Sequence, residues 1–277
     1  RPRRAQRAHH DIKPGRARKA LQRHVGVENP AIRGGNGLVI ALAALTFLLL
    51  FFVTAPYGRH ERAGFGKAIP QRAAWMLMEA PAVVVFIGIY VFGAHAWEAA
   101  PLCLLGLWQL HYLQRTLVFP FRLRDPKKTT PLVVVLAAIG FNVLNAYVNA
   151  RWISHFGRYT LGDFQSFCFV SGTALFVAGF ALNIHADGVL LRLRSPGVTG
   201  YKVPHGGLFE YVSSPNYLAE IIEWLGWALL TWSLSGLAFA LYVIGNLVPR
   251  ALTHHRWYQQ KFPDYPKERK AILPFVL

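Results

Sequence analysis

An all-α, polytopic integral membrane protein of seven helices, with no Rossmann domain, is the fold class that the 277 residues predict. Two observations carry it. Hydrophobic residues make up 53% and charged residues only 16% of the chain, outside the range of ordinary soluble domains. The apolar residues also fall into runs of about 20, long enough to cross a bilayer, at about 37–55, 74–96, 99–119, 130–150, 166–187, 216–232 and 235–258. The connections after the second and sixth runs are short, so those neighbours are expected to pack as antiparallel hairpins.

Residues 1–35 are basic, rich in Arg with Pro and Gly and without periodicity, so a tail is expected there. A single seven-helix membrane domain is expected over 36–277, with a cofactor-binding C-terminal half from about 130 to 277. The formal charge of +17 raises nucleic acid as a partner, but the basic residues flank apolar spans and line no soluble face. Lipid headgroups and an anionic cofactor account for them, with no nucleic acid and a monomeric chain expected. Cys103 and Cys168 both lie inside apolar runs, which excludes a disulfide framework or zinc knuckle. The chain opens on Arg1 without a secretory signal ahead of the first run, as expected of a processed or truncated chain.

The first run, GLVIALAALTFLLLFFVTA, is uniformly apolar and reads as a lipid-facing anchor that doubles as a pocket wall. The second places Glu79 beside Pro81, and an acidic residue at a membrane-helix centre costs about 2.5–3.5 kcal/mol on insertion scales, so Glu79 reads as functional by default or else as a protonated Glu hydrogen-bonded to a neighbouring helix. In the third, Trp108, Tyr112 and Arg115 share one face with His111 beside them. Tyr112 is either an interfacial anchor or a proton donor; the residues leave both open. Arg122, Arg124, Lys127 and Lys128 then form a basic loop that serves topology or binds phosphate.

Asn142, Asn145 and Asn149 in the fourth run suit interhelical hydrogen bonds. Asn183, Asp187 and Arg194 share a face of the fifth if its helix continues to Pro196, as a ribose and phosphate wall or as a structural ion pair. A polar loop with Tyr201 and Lys202 leads to GGLFEYVSSPNYLAEIIEWLGW, where Pro215 suits a first helical position. Asn216, Glu220 and Glu223 stripe one face of that helix. Arg250, His254 and Tyr258 follow helical spacing in the last run; His254 and His255 lack a third ligand at metal-site spacing, so no metal is expected. Neither G-x-G-x-x-G nor a P-loop occurs, so a nucleotide would be held by helix faces and loops. Loops after the first, third and fifth runs and the C-terminal tail hold most of the inter-span Lys and Arg, which predicts a cytoplasmic cofactor side and C-terminus.

The blocks RAAWMLMEAP, LHYLQRT, LNIHADGVLLRLR, GGLFEYVSSPNYLAEIIEWLGWALLTWSL and HHRWYQQKFPDYPKERKAILPF resemble the steroid 5-alpha-reductase family, close to its type 2 steroid enzyme. The resemblance covers about residue 70 to the end. It implies NADPH-dependent reduction of the C4–C5 double bond of a 3-oxo-Δ4-steroid, with Glu79 and Tyr112 at the 3-keto group. It also implies NADPH contacts from Arg115, Arg124, Asn183, Asp187, Arg194, Tyr201, Lys202, Asn216, Glu220, Arg250, His254 and Tyr258. Lys202 stands where the family has Arg and lacks the bidentate fork. The 122–128 loop departs in length and order, which leaves open which basic residue meets the 2′-phosphate. Two other readings compete: an isoprenylcysteine-type methyltransferase using S-adenosylmethionine, and a non-enzymatic sterol-binding or transport protein.

Overall fold

The computed structural model describes residues 29–56, 58–62, 64–124, 128–194 and 200–277. Seven helices of at least fifteen residues occur among them, at the seven apolar runs. Five are long and apolar enough to cross a membrane, which makes this an integral membrane protein. The other two, Ala99–Leu113 and Pro215–Thr231, have 15 and 17 residues. They are shorter because one passes into a wider turn and the other opens late, at a proline.

Helix α1, Pro30–Phe52, starts inside the stretch expected to be tail. The Asn29 side chain accepts from the Ala31 amide at 2.9 Å and Pro30 sets the first turn, which together start the helix before the apolar run does. Its buried residues Ile32, Asn36, Val39 and Ala43 form one stripe at helical spacing, while Leu45, Leu48 and Phe52 are exposed as lipid-facing residues would be. Residues 1–28 lie outside the described part.

Strands β1, Ala68–Pro70, and β2, Thr129–Pro131, pair antiparallel with Ile69 opposite Thr130. Each ends in a proline immediately before a helix: α2, Gln71–Tyr90, and α5, Leu132–Arg151. This pairing sets α2 against α5, and Asn142 Nδ2 donates to Met78 O at 2.7 Å across them. The expected hairpin between the second and third spans is therefore the lesser contact, since α2 ends at Tyr90 and its main neighbour is α5. Helix α3, Ala99–Leu113, continues through a π-helical turn at Gln114–Val118 into the short α4, Phe119–Arg122.

Helix α6, Phe167–Arg192, packs along α7, Pro215–Thr231. Glycines let the backbones close: a Cβ on Gly179 would stand 2.5 Å from the Glu223 amide nitrogen, and one on Gly226 would stand 2.5 Å from that of Phe176. After the left-handed Trp232 (φ 44°), Ser233 caps α8, Leu234–Lys261, which returns along α7 as the short connection predicts and also covers α1. Trp108 of α3 centres the core, with ring centroids 4.4 Å from Phe86, 5.2 Å from Trp227 and 5.5 Å from Trp224.

Beyond α8 the chain folds back. Arg269, 1% exposed, donates to Pro204 O at 2.9 Å and to Glu210 Oε2 at 3.0 Å, which ties the tail to the loop that opens α7. The Gly206 amide and Arg269 hold the Glu210 carboxyl below its usual range.

Candidate active site

A cavity of about 690 Å³ lies among α1, α2, α3, α5, α6, α7 and α8. Its volume is that of a small-molecule site. One part is apolar, walled by residues such as Leu50, Val134, Phe141, Phe239 and Leu247. The other is polar and charged, and most of the residues singled out in the sequence meet there.

Glu79 of α2 and Tyr112 of α3 both line the cavity. Asn142 is an electrostatic neighbour of Glu79, and Asn145 of Tyr112, so the asparagine face of α5 meets the pair as well as joining helices. Asn149 keeps a structural role, for it donates to Asn145 Oδ1 at 2.9 Å and accepts from Trp227 Nε1 at 2.9 Å. Trp108, on the Tyr112 face, packs against its ring at 4.8 Å from the core side.

Arg115 sits in the π-helical turn, a wider register that recurs at functional sites. It is 8% exposed and donates to Asp187 Oδ2 at 2.9 Å. Its guanidinium lies 4.6 Å from the Trp75 ring centroid and 4.5 Å from that of Phe119, so aromatic faces cover the charge that the carboxylate neutralises. Asn216 Nδ2 donates to Asp187 Oδ1 at 3.2 Å, and Asn183 Nδ2 donates to Asn216 O at 3.0 Å. Arg115, Asp187, Asn216 and Glu220 thus meet from three chain segments on one wall, with Asn183 just behind it. Arg194, Arg250 and His254 also line the cavity.

The remaining expected residues lie outside that wall. Tyr201 and buried Tyr258 lie beside Arg59, a lining residue whose guanidinium is 4.6 Å from the Tyr258 centroid and 6.0 Å from that of Tyr201. Lys128 donates to the Tyr201 hydroxyl at 3.0 Å. Arg124 and Lys202 are exposed, Lys127 and Pro196 lie outside the described residues, and α6 itself ends at Arg192. Arg59 is a residue that sequence reasoning missed, since its loop has no periodicity to mark it. Beside it, His60 has its pKa lowered to about 4 by burial and by Arg59, Arg250 and Arg62.

No group of three or more potential metal ligands occurs among the described residues.

The profile of the family described as 3-oxo-5-alpha-steroid 4-dehydrogenase matches residues 128–277. The chain belongs to this family. It is similar to steroid 5-alpha-reductase DET2 of Solanum lycopersicum, with 48% identity over 86% of this chain and 94% of the relative. It is also similar to 3-oxo-5-alpha-steroid 4-dehydrogenase 1 of Mus musculus, at 44% identity over 85% and 93% of the two chains, and of Homo sapiens, at 42% over 79% and 85%. Membership in this oxidoreductase family makes the protein an enzyme, and sets aside the methyltransferase and transport readings. The oxidoreductase class is consistent with a nicotinamide cofactor.

Proposed function

We propose that the protein reduces the C4–C5 double bond of a 3-oxo-Δ4-steroid with NADPH, giving the 5-alpha-reduced 3-oxosteroid. The observation that supports this most strongly is that Glu79 and Tyr112 line the same cavity as Arg115, Asp187, Asn216 and Glu220, between an apolar wall and a charged one.

The residues suit the cofactor. Arg59, Arg194 and Arg250 bring three guanidinium groups to the cavity, as a dinucleotide phosphate chain requires. Ser214 also lines it, and its buried hydroxyl has no hydrogen-bond partner among the described residues, so a donor or acceptor is waiting for a ligand. Asp187, Asn183, Asn216, Glu220 and His254 would hold the ribose and nicotinamide part, and Tyr258, Tyr201, Lys202 and Arg124 its adenosine end. When bound, NADPH supplies the hydride for the β-carbon of the enone.

Negative charge then develops on the 3-keto oxygen, and in a water-poor site a donor aimed at it is worth more than in water. Tyr112 donates a hydrogen bond to that oxygen and keeps its proton. Glu79 orients the phenol and, when protonated, donates as well. The apolar wall takes the steroid rings from the bilayer, and one chain supplies every wall, which suits a monomer. The cofactor side and C-terminus face the cytoplasm, where the basic inter-span loops lie.

Purified protein given a Δ4-3-ketosteroid should form the saturated ketone far faster with NADPH than with NADH, because loss of the 2′-phosphate leaves basic groups unpaired. Equal rates with the two cofactors would contradict the assignment of the basic residues.

A further inference from the structure

Reduction of an enone adds two hydrogens. The hydride goes to the β-carbon and Tyr112 with Glu79 serves the oxygen, which leaves the proton for the α-carbon without a source. We infer that His111 and Glu223 form a proton relay that delivers it, an inference that rests on the reading of the cavity as an enone-reducing site.

Glu223 of α7 is 0% exposed and is not part of the cavity wall. Its Oε1 is 2.7 Å from His111 Nδ1, whereas its Oε2 is buried with no hydrogen-bond partner among the described residues. A buried ion pair kept for stability gains from having every lone pair satisfied, so an orphaned oxygen argues against a purely structural purpose. Arg115, the cation whose charge reaches Glu223, is no substitute, because it is engaged with Asp187. His111 does line the cavity, and with Nδ1 committed to Glu223, Nε2 is the nitrogen left for its contents. Its ring lies 4.9 Å from that of Tyr112, beside the group that serves the carbonyl. The charged and titratable groups facing His111 are Glu79 of α2, Tyr112 of α3, Arg115 of the π-helical turn, Asp187 of α6, and Glu220 and Glu223 of α7.

In the loaded pair, the Glu223 carboxyl donates its hydrogen to Nδ1 and Nε2 carries a hydrogen. As the enolate electron pair takes the Nε2 hydrogen, an α-carbon C–H bond forms, the Nε2–H bond breaks and the carbonyl is restored. Nδ1 takes the proton of Glu223 in the same movement. The pair passes from neutral to a charge of −1, and water returns one proton after turnover. The reduced nicotinamide supplies the two electrons, so the substrate gains one hydride and one proton. Glu223 acts only through His111.

The test uses full-length protein in nanodiscs with NADPH and a Δ4-3-ketosteroid, with steady-state formation of the saturated 3-oxosteroid followed in H2O/D2O mixtures. Glu223→Gln keeps a hydrogen-bonding side chain of the same size but has no proton to pass on. Its turnover should fall by about 10²–10⁴, the range for loss of general-acid catalysis, with the KM for steroid and the Kd for NADPH nearly unchanged. The parent should show a solvent isotope effect with a bowed proton inventory, because two protons move together, and the variant should lose the bow. A Glu223→Gln rate within threefold of the parent overturns the relay, as does a linear inventory or the absence of an isotope effect in the parent. Those parent measurements decide the matter even if the variant does not fold. A parent that forms no saturated product defeats the underlying reading itself, and the relay falls with it.

Discussion

Tyr112 and Glu79 are where the chemistry is most exposed to a single substitution. Tyr112→Phe keeps the ring and its packing against Trp108 but removes the phenolic hydroxyl that donates to a developing enolate oxygen. Turnover should fall by about 10²–10³, the usual cost of one oxyanion donor, while NADPH binding measured by calorimetry barely changes. Glu79→Gln should cost less. The two losses should not multiply in the double variant, because both residues act on one oxygen; near-normal turnover of Tyr112→Phe returns both to structural roles. The place of Glu79 on the cavity wall was legible in the sequence, because a carboxylate inside an apolar run is costly unless it faces a polar interior. The pairing of His111 with Glu223 was not, since 112 residues separate them and only the packing of α7 against α3 brings them together. Arg115 shows a third case: its face was legible, but the π-helical turn that carries it has no local marker.

Among the elements, the loop between α1 and α2 ties the cavity rim to pH. His60 Nε2 is buried with no hydrogen-bond partner among the described residues, and its protonation would add a charge beside Arg59, Arg62 and Arg250. Its pKa is lowered from 6.5 to about 4 in the folded protein, so the unfolded chain takes up the proton first as pH falls. The neutral-His60 contribution is therefore fully present above about pH 6.5 and is lost as pH drops toward 4. Thermal unfolding in detergent should show a steeper fall between about pH 7 and pH 4.5 for the parent than for His60→Gln, and parallel curves would contradict this. Helix positions were legible from apolar runs, yet their partners were not. The α7–α8 hairpin followed from a short connection, whereas α2 chose α5 because β1 and β2 pair, and three-residue strands in polar loops leave little trace in hydropathy. Asn29 and Pro30 likewise began α1 ahead of its apolar run, a capping signal that the basic composition around it obscured.

At the scale of the whole molecule, the apolar spans enclose one cavity whose lining is apolar on one part and charged on the other. Composition alone was enough to read the membrane class, and family resemblance to read the chemistry. The shared cavity depended on seven helices meeting, which no run of residues records. The central claim is that this cavity transfers a hydride to the steroid C5 while Tyr112 and Glu79 hold the 3-keto oxygen. Purified protein should therefore be incubated with a Δ4-3-ketosteroid and NADPH carrying deuterium at the transferable nicotinamide position, and the product analysed by mass spectrometry and NMR. The account predicts a 5-alpha-reduced 3-oxosteroid with deuterium at C5 and solvent hydrogen at C4. Unreduced steroid, or reduction with the label at any other carbon, would contradict it.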